Sequence, residues 1–168
     1  MTPGKIIVGT VCFIIDEISN KLLLLERSNE PMQGLWTGVG GKTHFSEGIY
    51  ESCIREIYEE TGLTVEKLQL RGVVKTILSG GDSSWILHIY VCREFSGSIT
   101  PCSEGRLEWI NIEEVYGLNL IGFLRGLMPI VLNNEAIVEG TIVHDTKGAV
   151  IKETIRYNAI GFERSLNK

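Results

Sequence analysis

The chain has 168 residues, 43% apolar and 22% charged, which suits one soluble globular domain with a substantial core. A formal net charge of −5 argues against DNA or RNA as the main partner, although a bound cation could reverse the charge locally for a small phosphate ester. In chain order, Ile6 to Ile15 is β-branched, too short to span a bilayer, and followed by Asp16 and Glu17 where a signal peptide would need small residues. It reads as a strand of a cytoplasmic protein. Lys21 to Glu26 reads as its neighbour across a turn at Ser19 and Asn20. A polar loop from Ser28 to Gly34 leads into the glycine-dense Leu35 to Gly41, where backbone must approach something closely. A helix follows, with Ser46 the expected N-cap and Gly62 the left-handed stop. Val65 to Leu78 reads as one or two strands interrupted at Gly72. Trp85 to Phe95 is apolar on both faces, as in a central strand, and Leu107 to Ile112 is another strand. Asn111 and Glu114 have capping-box spacing before a short helix. Leu120 to Leu132 reads as an amphipathic helix ending near Asn133 and Asn134. Ala136 to His144 and Ala149 to Tyr157 read as a hairpin about Asp145 to Gly148.

The four cysteines, at 12, 53, 92 and 102, form no close pair. They read as free thiols in a reducing compartment, neither a disulfide framework nor a zinc site. The informative stretch is GGKTHFSEGIYESCIREIYEETGL, from Gly40 to Leu63. At roughly 100° per residue, Glu59 lies about 60° to one side of Glu56 and Glu60 about 40° to the other. Like charges so placed destabilise a helix by a few tenths of a kcal/mol per pair. A helix that accepts this cost has a use for the carboxylates, and clustered hard oxygens suit Mg²⁺ or Mn²⁺ acting with substrate phosphates. The apolar arc Tyr50, Cys53, Ile54 and Ile57 leaves that face free; Ile49 falls among the acids.

Gly41, five residues, Glu47, seven residues, then Arg55-Glu56-Ile57-Tyr58-Glu59-Glu60-Thr61-Gly62-Leu63 matches every specified position of the Nudix box, so the chain resembles a Nudix hydrolase. The resemblance, over about residues 5 to 130, implies an α/β/α sandwich around a mixed β-sheet. It makes residues 1–168 a single domain, with a core of about 5–132 and a C-terminal hairpin extension of about 135–158. It implies Glu56, Glu59, Glu60 and the Gly41 carbonyl as metal ligands, with Glu104 as the added acid from a later loop. It implies Glu56, Glu59 and Arg55 as the catalytic set, with Glu56 or Glu59 as base. Arg55 and Glu47 would pair to orient the helix that Gly62 ends. Arg27, Trp36, Thr37, Gly40, Gly41 and Lys42 would contact substrate. His44 stands where relatives often carry glutamate, which removes one carboxylate.

The approach Gly34-Leu35-Trp36-Thr37-Gly38-Val39-Gly40-Gly41 and the later EGRLEWINIEEV are similar to the MutT-like branch that cleaves oxidised purine nucleoside triphosphates. The implied reaction is Mg²⁺-dependent (Mn²⁺ as the alternative) hydrolysis of a nucleoside triphosphate, such as 8-oxo-dGTP, to monophosphate and pyrophosphate. Phe13, Trp36 and Phe123 are the aromatics offered for stacking the base, worth roughly 1–3 kcal/mol. Thr37 replaces the asparagine some 8-oxopurine enzymes use, and their acidic pair has no counterpart between Tyr116 and Met128. A hydrolase of ADP-ribose or another nucleoside diphosphate derivative, or a nucleotide sensor without catalysis, is the alternative. The expected partner is a small nucleotide, with no nucleic-acid polymer and no membrane. An edge strand of the hairpin would allow a homodimer.

Overall fold

Alternation along the first strand decides the layering. In β1 (Lys5–Asp16), Val11, Phe13 and Ile15 enter one apolar cluster while Cys12 and Ile14 enter another. Successive side chains point to opposite faces, so each face needs a cover. Helix α1 (Ile49–Thr61) covers one through Cys53 and Ile57. Helix α2 (Gly122–Asn133) covers the other through Phe123, Leu124, Leu127, Met128, Val131 and Leu132. This computed structural model describes residues 4–133, 136–159 and 162–167.

The remaining strands are β2 (Lys21–Arg27), β3 (Trp36–Thr37), β4 (Thr64–Leu78), β5 (Ser83–Ser96), β6 (Gly105–Asn111), β7 (Ile137–His144), β8 (Val150–Ala159) and β9 (Phe162–Asn167). They form one mixed sheet in the order β3-β2-β1-β5-β4-β7-β8-β9, with β6 also paired to β2. The parallel pairs are β1 with β5 and β4 with β7. As expected for a strand apolar on both faces, β5 lies in the middle.

Several local expectations need correction. Ser46 does not cap α1. The N-cap is Gly48, without a side-chain cap bond, and the Glu51 carboxylate folds back over it. The start is displaced because Glu47 is drawn the other way, its Oε1 accepting the His44 N–H at 2.7 Å. Gly62 does end the helix, at φ 77°. Asn111 and Glu114 make no side-chain cap; their backbones close a turn into a single 3₁₀ turn at Val115–Gly117. Gly72 does not break β4. Its register with β5 shifts between Leu70 and Gly72, and Arg71 at the shift is buried, its Nε donating to the Val131 carbonyl at the end of α2 (3.2 Å). Ile49 packs at the margin of the α1 cluster.

The C-terminal hairpin is present, and it joins the same sheet and core. β7 pairs with β4 from Gly72↔Val138 to Leu78↔His144, and Val138, Ile142 and Ile155 are buried in the α2-side cluster. Asn134 and residue 135, at the expected end of α2 and start of the hairpin, lie outside the described residues. All four cysteines are free. Among the described residues no helix is long and apolar enough to cross a membrane.

Candidate active site

β2 pairs with β1 only from Ile14 to Asp16. Below that point residues 38–43 take the place beside β1. Cys12 N–H donates to the Val39 carbonyl (2.7 Å), Thr10 N–H to Gly41 (2.9 Å) and Thr43 N–H to Val8 (3.0 Å). The approach is as close as the glycines suggested. Gly40 has φ 146°, and a Cβ there would strike the Thr10 carbonyl. A Cβ on Gly41 would occupy the space of the Glu56 carboxylate. The loop therefore presents bare backbone to the acidic arc of α1.

The three glutamates are treated differently. Glu60 is 7% exposed, and its Oε2 accepts the Gly40 N–H at 2.8 Å. Burial pushes its pKa up to about 8; the negative charges of Glu56 and Glu104 add to the rise, while the Gly40 N–H and Arg27 oppose it. Glu56 lies against Gly41 and gives Oε1 to Arg55 at 2.9 Å. Glu59 is 57% exposed and gives Oε2 to Arg55 at 3.0 Å.

Arg55 is the hub. Its Nε and Nη2 grip both Glu47 oxygens (3.0 and 2.6 Å), Nη1 serves Glu56 and Glu59, and Nη2 also reaches the Lys42 carbonyl (3.1 Å). A planar fork with five donors can make this set, and lysine cannot. The pair holds Glu47 down at about 2, chiefly through the Arg55 hydrogen bond, with the His44 N–H helping. The Arg55 pKa rises in return. Arg55 thus ties helix to loop, as the Glu47 pairing implied.

The charges of Glu104 and Arg27 act on Glu60 in opposite senses, the first raising its pKa and the second lowering it. Their loops are joined, Ser28 N–H donating to the Glu104 carbonyl at 3.0 Å. Arg27 Nε donates to the Pro31 carbonyl at 3.1 Å. Lys42 is not brought to the acids; its ammonium stands 5.7 Å from the centre of the Trp85 ring. Thr37 is half-buried and paired with Leu25. The stacking aromatics are used otherwise: Phe13, Trp36 and Phe123 are all buried in the α2-side core. Trp36 also carries the Arg106 guanidinium 5.0 Å over its ring, and its main chain is pinned by Asn119 and Ile121. Its indole is packing. The sequence reading missed Cys102. Its Sγ accepts the Glu104 N–H at 3.3 Å, and burial with the charges of Glu60 and Glu104 pushes the thiol pKa up. Its place two residues before Glu104 was the available signal.

Among the described residues no three acidic, histidine or cysteine side chains converge as a ready metal cage. Arg55 engages Glu59 and one oxygen of Glu56. The donor set still fits a hard divalent cation. Glu60 is a buried carboxylate whose ionisation is opposed by two neighbouring anions, the condition a cation relieves. The Gly41 carbonyl accepts the Thr10 N–H and keeps a second lone pair, and the main-chain N–H donors among the described residues leave the Gly40 carbonyl open. An open groove of about 640 Å³ lies at the other end of the box loop, lined by Lys5, Val8, Lys42, His44, Phe45 and Glu47.

The chain is similar to known proteins in sequence and fold. A NUDIX domain model matches residues 5–127. The uncharacterized Nudix hydrolase YvcI of Bacillus subtilis is 28% identical over 132 residues, 76% of this chain and 82% of that protein. The oxidized purine nucleoside triphosphate hydrolase of Danio rerio is 33% identical over 82 residues, 49% of this chain and 53% of that one. A crystal structure of a MutT protein from Bacillus halodurans superposes with a TM-score of 0.80 at 28% identity, covering 89% of this chain and 97% of that chain. With the box glutamates of α1 gathered against a glycine loop, and most of the chain matched, this protein belongs to the Nudix family and is a Nudix pyrophosphohydrolase, an enzyme class that uses divalent metal ions on small nucleotide substrates.

Proposed function

We propose that the protein hydrolyses a nucleoside triphosphate between its α and β phosphates, releasing pyrophosphate and a nucleoside monophosphate, with an oxidised purine nucleotide such as 8-oxo-dGTP as substrate and Mg²⁺ as cation. The observation that carries the reading is the buried Glu60 carboxylate held on the Gly40 N–H, with Glu56 packed on Gly41. Glu60, Glu56 and the Gly40 carbonyl would hold the cation, with Glu104 nearby. A bound divalent ion polarises phosphorus and acidifies a water. Arg27 would bind phosphate from the β2 side and neutralise charge gathering there. The proton of the attacking water goes to Glu56, whose Oε2 is not engaged by Arg55; Glu59 faces solvent. Such proton acceptance contributes about 10²–10⁴ in rate. The likeness to the zebrafish enzyme favours an oxidised purine over other bases.

Product analysis on 8-oxo-dGTP, dGTP and ADP-ribose with Mg²⁺ tests the reading. Monophosphate and pyrophosphate from 8-oxo-dGTP, formed faster than from dGTP, are expected. Turnover of ADP-ribose alone would refute it. Glu60→Gln should lower metal-dependent turnover by at least about 10²-fold while the circular dichroism spectrum is kept; unchanged turnover would remove Glu60 from the cation site.

A further inference from the structure

The matched family segment ends at residue 127, yet the turn between β7 and β8 returns to pack on the loop that follows β2. This turn is rigid. Asp145 N–H donates to the Ala149 carbonyl (3.0 Å), Gly148 N–H to the Asp145 carbonyl (3.1 Å), and Asp145 Oδ1 accepts the Lys147 and Ala149 N–H groups (2.8 and 2.9 Å). It is anchored on two elements. The His144 carbonyl accepts the Ser79 N–H at the end of β4, and the Gly148 carbonyl is packed against Gly122 at the start of α2.

The buried Gly148 side of the turn meets the loop that follows β2. Gly148, at φ 81°, presents its Cα to Leu35 and Met32; a Cβ there would lie 3.3 Å from Leu35 Cδ1 and 3.6 Å from Met32 Sδ. Met32 itself has φ 67°, a left-handed conformation that a non-glycine residue keeps only where its surroundings fix it. That loop also packs on the α2-side core through Met32 and Leu35, and it is hydrogen-bonded to Arg27. Arg27 N–H donates to the Leu35 carbonyl (3.0 Å), Gly34 N–H to the Arg27 carbonyl (2.8 Å), and Arg27 Nε to the Pro31 carbonyl (3.1 Å). The contacts therefore run from Gly148 through Met32 and Leu35 to the Arg27 guanidinium.

We propose that the Asp145–Gly148 turn is a positioning element for substrate: it packs on the Pro31–Leu35 loop, whose Pro31 carbonyl takes the Arg27 Nε, and so fixes where the Arg27 guanidinium stands for substrate phosphate. The inference rests on the proposed function in giving Arg27 the phosphate. It assigns a binding role to a part of the chain outside the matched segment. Gly148→Val pushes on Met32 and Leu35, and Leu35→Ala withdraws the same contact without straining the turn.

The test is a double-mutant cycle in steady-state kinetics on whichever of 8-oxo-dGTP or ADP-ribose the wild type hydrolyses. Gly148→Val and Leu35→Ala are each expected to raise KM at least about fivefold with kcat held within about twofold, the signature of lost ground-state binding. In an Arg27→Ala background each should change KM by less than about twofold, since the contact acts through that residue. A purely structural role would lower kcat/KM by the same factor in both backgrounds, and that additivity overturns the inference. If Gly148→Val does not fold, Leu35→Ala decides alone. A wild type that hydrolyses neither compound would instead refute the proposed function, and this inference with it.

Discussion

Glu60 carries two demands at once. Its carboxyl sits at about 8 in the folded protein against 4.5 for a free glutamate, because it is buried beside other anions. A carboxyl raised by folding binds its proton more tightly in the native state. Its contribution to stability is therefore complete below pH 4.5 and is lost as pH climbs through about 8. In chelator, the unfolding midpoint should fall as pH rises from about 5 to about 9. Millimolar Mg²⁺ should flatten that fall, and Glu60→Gln should abolish the slope from this group. Thermal melts across pH with and without the cation measure all three. Since only the ionised carboxylate takes a cation, calorimetric Mg²⁺ affinity should strengthen over the same interval and release protons. Affinity independent of pH there would show that Glu60 is not a ligand. Glu47 is the converse case: depressed to about 2, its pairing with Arg55 survives well into acid and is lost only as pH falls through that value.

At the scale of elements, the box loop and α1 act as one piece. The loop sits on β1, the helix acids sit on the loop, and Arg55 closes the circuit through Glu47 and the Lys42 carbonyl. Gly41→Ala should expel the Glu56 carboxylate, because the added methyl would occupy its place. We expect at least about tenfold loss of kcat, roughly 1.4 kcal/mol in the barrier, with the melting temperature nearly kept. Wild-type kinetics for Gly41→Ala would show that Glu56 has room elsewhere. This is also where the sequence was most legible. Helical spacing put Glu56 and Glu60 on one arc, and the resemblance carried by the box implied the glycine loop beside them and the Arg55–Glu47 pair. What failed was local competition among polar groups. Ser46 had the chemistry of a cap, but Glu47 was claimed by Arg55 and the His44 N–H, which moved the start to Gly48. Trp36 had the chemistry of a base platform, but core burial took its ring. Lys42, near the acids in sequence, has its ammonium over Trp85 instead.

Across the whole molecule, the resemblance implied the α/β/α layering, and the alternation along β1 between two covered faces agrees with it. Where the hairpin docks was not legible, since strand pairing depends on partners distant in sequence. β7 pairs in parallel with β4, and Ile142 is fully buried beneath α2. Ile142→Ala should cost about 2–4 kcal/mol in denaturant unfolding, in a single transition. A separate early transition confined to the C-terminal strands would show that they fold independently of the catalytic core.

β4 is fifteen residues long, and from Gly72 to Leu78 its outer main-chain groups are taken up only by β7. A polypeptide ending at Asn133 would leave that run of amides and carbonyls bare, together with the apolar hole vacated by Val138 and Ile142. Its first symptom would be precipitation and poor recovery from expression, through self-association along the uncovered strand, well before any chemistry could be assayed.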